Sequence, residues 1–140
     1  MDRAAVLKRL REEEERLAIG WGGRKGQQDA VGALRELLES QRSGGHAQAT
    51  AKVRQEDPYL RAFFVTLCRR YGLEPYRQPR QHRTSMMVEM PEPFLKDVFW
   101  PLYNACANIV QGEMSAWYYA LMDEFRGTAA TTDDELVDQD

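Results

Sequence analysis

The chain has 140 residues and 16.2 kDa, a length suited to one domain with a buried core. Hydrophobic residues make up 43% and charged residues 29%, with only two cysteines, a composition that excludes collagen-like, disulfide-scaffold and membrane-embedded classes. The formal net charge of −3 hides a division: residues 127–140 hold five acids and no base, so residues 1–126 are mildly basic.

Residues 3–18 read as a helix, with Leu7, Leu10 and Leu17 at helical spacing. The stripe is narrow, and a second copy of the chain is one surface that would cover it. The run Glu12 to Glu15 lies within this helix, flanked by Arg11 and Arg16, where pairs three or four apart give local support. The segment 20–26 breaks the helix with four glycines around Trp21. It is not a phosphate cradle, because Lys25 precedes the last glycine and no hydroxyl residue follows. Trp21 reads as an anchor against the core.

Asp29 is placed to cap a second helix over 30–42, where Val31, Leu34, Leu37 and Leu38 follow the helical rhythm, and 43–45 ends it. The stretch 47–55 is rich in Ala and Gln and reads as a weaker, linking helix. Asp57-Pro58 marks the next start, since Asp accepts from a first-turn N–H and Pro suits the first helical position. Leu60, Phe63, Phe64, Leu67, Cys68 and Tyr71 then form a core-facing stripe, which Gly72 terminates.

Pro75, Pro79 and Pro91 exclude helix through most of 73–91. Residues 84–90 alternate, with Met86, Val88 and Met90 on one face, as in a half-buried strand, and 76–83 is its hairpin partner or an irregular arm. The strand's edge is expected to be unpaired within one chain. From Glu92 to about Arg126 the pattern is helical, with Pro101 expected to bend or break it into a short helix and a long one over 102–126. The fold class is therefore mainly α (α+β). It has four to five helices, a β element at about 74–90, a single domain over 1–126 and an acidic disordered tail over 127–140.

The feature above background is the segment 69–83, with five arginines and one acid in fifteen residues. Arg69, Arg70, Tyr76, Arg77, Arg80, His82 and Arg83 are the candidate anion- or partner-binding residues. Arginine forks match phosphate and carboxylate bidentately, and Tyr and Arg planes stack on bases. The competing reading is internal pairing with acids such as Glu12–Glu15 or the tail. The strand–proline–helix order from Thr84 onward resembles a ribbon–helix–helix pattern over about 40 residues, which implies a strand paired with that of a second chain and outward residues Arg83, Ser85, Met87 and Glu89.

Metal and cofactor chemistry has no motif: His46 and His82 are isolated, and Cys68 and Cys106 sit in apolar patterns as core thiols. Glu113, between Val110 and Trp117, is a helical carboxylate that would serve an enzyme as general acid if buried. The N-terminus has no signal-peptide core, so the cytoplasm is the expected compartment. The leading expectation is a non-enzymatic, self-associating interaction subunit whose arm contacts a polyanion or an acidic protein. The alternatives are a DNA- or RNA-binding regulator and a small enzyme using a helical carboxylate.

Overall fold

A computed structural model of the chain describes residues 3–20, 29–77 and 84–110, with side chains over 8–20, 29–57, 60–77 and 84–107. In chain order the elements are α1 (Arg3–Gly20), α2 (Ala30–Ser43), β1 (Gln48–Arg54), α3 (Pro58–Arg70), β2 (Ser85–Pro91), α4 (Glu92–Phe94), a π-helical turn (Leu95–Phe99) and α5 (Trp100–Val110). The protein is thus mainly α with a small antiparallel β element. The segment 20–26 beyond Gly20 with Trp21, the residues Arg80, His82 and Arg83, Glu113 and the tail 127–140 lie outside the described residues.

Local chemistry explains the helix ends. The Asp29 carboxylate accepts from the Gly32 N–H at 2.9 Å and so satisfies a first-turn donor of α2. Asp57 does the same for α3, accepting from the Leu60 N–H at 3.4 Å, with Pro58 at the first helical position. At the other end of α3, Gly72 has φ +75, the Leu73 N–H donates back to the Cys68 carbonyl at 3.0 Å, and the Gly72 N–H donates to the Arg69 carbonyl at 3.1 Å. This paired closure needs a left-handed residue, which glycine adopts without a Cβ penalty.

The segment 47–55 is not a helix. Gln48–Arg54 forms β1, paired antiparallel with β2 in the register Ala49↔Met90, Ala51↔Val88 and Val53↔Met86. Ala51 and Val53 face the core while Thr50, Lys52 and Arg54 are exposed. Alanine and glutamine are good helix formers, but propensity is a weak determinant, and burial of one face of a strict polar–apolar alternation overrides it. The β2 strand is also not an unpaired edge. It has β1 on one side, and on the other Tyr76 and Met87 exchange backbone bonds of 2.8 and 2.9 Å.

Pro101 does not break the C-terminal helix within the described residues. The Trp100 N–H reaches back five residues to the Leu95 carbonyl, and α5 continues through Pro101 to Val110. The widened π turn lies directly before the proline and absorbs the discontinuity that its missing N–H creates.

The core joins these elements through Leu10 and Leu17 of α1, Leu34 and Leu38 of α2, Phe63, Phe64 and Leu67 of α3, Met86, Val88 and Met90 of β2, and Phe94, Phe99 and Leu102 downstream. Tyr103 stacks on Phe63 with ring centroids 5.4 Å apart, and Phe64 meets Phe99 edge-on at 5.7 Å. The narrow stripe of α1 packs on α2 and α5 of the same chain.

Candidate functional site

The seven arginine-arm candidates divide between the core, the sheet and the residues beyond the description. Arg70 is in the core, with 4% of its side chain exposed, and its guanidinium holds the Glu14 carboxylate through Nε at 2.6 Å and Nη2 at 2.7 Å. The Tyr71 hydroxyl donates to the same carboxylate. Arg35 of α2 donates through Nε, at 2.8 Å, and through Nη2 to the Arg70 backbone carbonyl. Three helices therefore converge here: α1 supplies the anion, α3 the fork that clamps it, and α2 a second cation that satisfies a carbonyl at the end of α3.

Glu14 is the member of the acidic run that the sequence did not single out as buried. It lies four residues after Leu10 and three before Leu17, which places it in the buried stripe, and 1% of it is exposed. The signal was present in that spacing but was masked by three neighbouring glutamates, of which Glu12 and Glu15 are exposed. Of the run, Glu13 pairs locally with Arg9 at 3.3 Å and Arg16 at 2.9 Å. The internal pairing of arm arginines with this acidic run is thus realised for Arg70.

Arg69 pairs with Glu74 at 3.0 Å, five residues along its own chain turn. Tyr76 sits in the bridge to Met87, and its hydroxyl donates to Glu89. That hydrogen bond, more than burial, pushes the Tyr76 phenol up to about 12. Arg77 follows in the bridge and is buried, with 9% exposed. Arg69, Tyr76 and Arg77 therefore do not converge with Arg70 on one open face. The strand positions that the ribbon–helix–helix resemblance assigns to groove reading do not serve it either. Ser85 and Met87 are buried, and β2 pairs with β1 of its own chain.

The thiols are core groups. Cys68 is fully buried and Cys106 is 3% exposed, and neither is in a disulfide. Burial raises the Cys68 thiol well above its usual value, with Glu74 adding to the effect. Burial, then Glu13 and Glu14, pushes Cys106 up to about 12. A thiol so disposed stays protonated and is a poor nucleophile near neutral pH. Among the described residues, no three His, Cys, Asp or Glu side chains are grouped to hold a metal ion, and no helix is long and apolar enough to cross a membrane. No protein-family profile, curated protein or solved structure matches the chain.

Proposed function

We propose that the chain is a non-enzymatic interaction subunit that contacts a polyanion or an acidic protein through the connection between Arg77 and Thr84. The observation that supports it is the anchoring of both ends of that connection on the sheet. Tyr76 is bridged to Met87 by two backbone bonds. The Thr84 carbonyl accepts from the Gln55 N–H at 3.1 Å, and its hydroxyl meets Glu56 at 3.4 Å. Between these anchors the sequence carries Pro79, Arg80, His82 and Arg83 and no acid. Short connections with fixed ends lose less entropy when their side chains engage a partner. Arg70 and Arg77 are excluded from the contact set, because both are buried. A second copy of the chain is not required by the described surfaces, since α1, β2 and the aromatic face of 94–107 have neighbours in the same chain.

The test is a fluorescence anisotropy titration of the full chain against labelled mixed-sequence DNA, RNA and polyglutamate at low and raised salt. Binding is expected to weaken with salt, and Arg80→Gln/Arg83→Gln to lower the log–log salt slope by about 1 per phosphate contact removed. Parent-like affinity and slope in that variant would remove the connection as the contact surface. Which of the three anions binds tightest separates the acidic-protein reading from the nucleic-acid regulator.

A further inference from the structure

A second surface follows from the register of the sheet. Ala47 accepts from the Glu92 N–H at 2.9 Å, and the Gln55 N–H donates to Thr84 at 3.1 Å. In an antiparallel ladder the bonded pairs alternate, so Ala49, Ala51 and Val53 turn their backbone groups toward β2. Gln48, Thr50, Lys52 and Arg54 turn theirs the other way, and no described strand or bridge pairs with them. This row of alternating donors and acceptors runs the length of a seven-residue strand, and such an edge is a template for an added strand.

We propose that the edge of β1 turned away from β2, unpaired among the described residues, binds an acidic extended segment of a partner protein by strand addition. The side chains of the four edge residues are all exposed, and two of them, Lys52 and Arg54, are cations with no acid among the four. The nearest acids on this side are Glu56, 3.9 Å from the Arg54 guanidinium and itself exposed, and Glu89, across the ladder from Thr50 and bonded to Tyr76. An incoming strand with carboxylates at alternate positions sets them beside Lys52 and Arg54, where opposite charges across a strand pair are favourable. Its apolar positions then extend the face that carries Ala49, Ala51 and Val53.

A second copy of β1 fits this edge poorly. Pairing centred on Lys52 puts one ammonium on the other. Pairing centred on Ala51 leaves the two Lys52 side chains diagonal to each other, with no acid to offset them. Cations on an edge strand act against self-pairing and leave an acidic strand as the complementary one. The proposal rests on the register and charges of β1 alone and stands without the reading of the 77–84 connection.

The experiment uses the full chain and a fluorescein-labelled peptide, Thr-Glu-Val-Glu-Val-Glu-Thr, read by anisotropy and by amide hydrogen exchange. Saturable binding is expected, with new protection of the Thr50, Lys52 and Arg54 amides. N-methylation at alternate peptide amides, which keeps charge but removes strand bonds, is expected to weaken binding at least about tenfold. Thr50→Pro removes an outward N–H and no ladder donor, so it is expected to weaken binding comparably while the fold persists. Lys52→Glu/Arg54→Glu, confined to exposed side chains, tests the charge by a second route and is expected to abolish binding at low salt. Equal binding of the methylated peptide, unchanged amide protection or indifference to the charge reversal would each overturn the proposal. Loss of peptide binding in Arg80→Gln/Arg83→Gln alone would assign it to the connection instead. Absence of peptide binding would overturn this proposal and leave the other standing. Concentration-dependent dimerisation abolished by Thr50→Pro would show the occupant to be a second copy.

Discussion

Arg70 and Glu14 lie 56 residues apart in sequence and meet in the core through two parallel hydrogen bonds of 2.6 and 2.7 Å. The pair ties α1 to the end of α3, and the Tyr71 hydroxyl occupies the same carboxylate. Burying two charges costs several kcal/mol each before their attraction is counted, so the pair adds little net stability, while removing one partner leaves the other uncompensated. The arm is therefore not one cationic surface. Its first half is built into the core, and only its second half remains for a partner.

This pair gives the first prediction. Glu14→Ala leaves a guanidinium in the core without its carboxylate and is expected to cost about 3–5 kcal/mol. The double change Glu14→Ala/Arg70→Met removes both charges and is expected to cost far less than the sum of the single changes Glu14→Ala and Arg70→Met. The Arg35 bond survives it, because Arg35 donates to the backbone of residue 70. Urea unfolding of the four corners of the cycle measures the coupling. A Glu14→Ala loss within about 1 kcal/mol, the range of exposed pairs, would contradict the burial of the bridge.

Gly72 supplies the second. A Cβ added there meets nothing within 4 Å, so any cost comes from the backbone at φ +75 alone. Gly72→Ala is expected to destabilise by about 1–2 kcal/mol and Gly72→Asn by less, since Asn tolerates the left-handed region. Equal melting temperatures for the Ala and Asn variants would show that the closure of α3 does not depend on that conformation.

The thiols give the third. With Cys68 fully buried and Cys106 at 3% exposure, an aromatic disulfide reagent at pH 8 is expected to label both only as fast as the chain opens. In denaturing urea both should react at once. Rapid native-state labelling of either cysteine would overturn the core assignment. The Cys106→Ala variant identifies which thiol reacts.

Much of this fold was legible because local rules and burial agree. Asp29, Asp57-Pro58 and Gly72 mark helix ends by chemistry that acts within a few residues, and each does so in the structure. The apolar set from Leu60 to Tyr71 is buried as its spacing implies. The misreadings arise where a distant partner decides. In Gln-Ala-Thr-Ala-Lys-Val-Arg the polar–apolar alternation is complete, yet alanine is ambiguous alone, and only pairing with β2 across the whole of α3 selects the strand. The fate of Arg70 was similarly invisible locally. Nothing in 69–83 distinguishes it from Arg69, and its partner is set by which face of α1 packs inward. Pro101 does mark a discontinuity, but its form, a five-residue turn over Leu95–Phe99 with the helix resuming at Trp100, follows from backbone bonding that the proline alone does not specify.

The last prediction concerns alkaline pH. Cys106 is held near 12 by burial and by Glu13 and Glu14, and burial with Glu14 also raises Tyr71 well above its usual 10. Both groups are neutral when protonated, and the folded chain binds these protons more tightly than the unfolded chain does. Their contribution is thus complete below about pH 8, where the unfolded thiol is still largely protonated. It declines as pH rises, because the unfolded state then releases protons that the folded state retains. Stability from urea titrations is expected to be flat from these groups between pH 7 and 8 and to fall steadily from pH 9 toward 12. Cys106→Ala removes one titrating group, so its curve should start lower, from lost packing, but fall less steeply between pH 9 and 11. Tyr71→Phe should flatten the curve from about pH 10 upward, at the cost of the hydroxyl bond to Glu14. Parallel curves for parent and Cys106→Ala across pH 9–11 would show that the thiol is not held protonated by the fold. It would then be solvated rather than packed beneath Glu13 and Glu14.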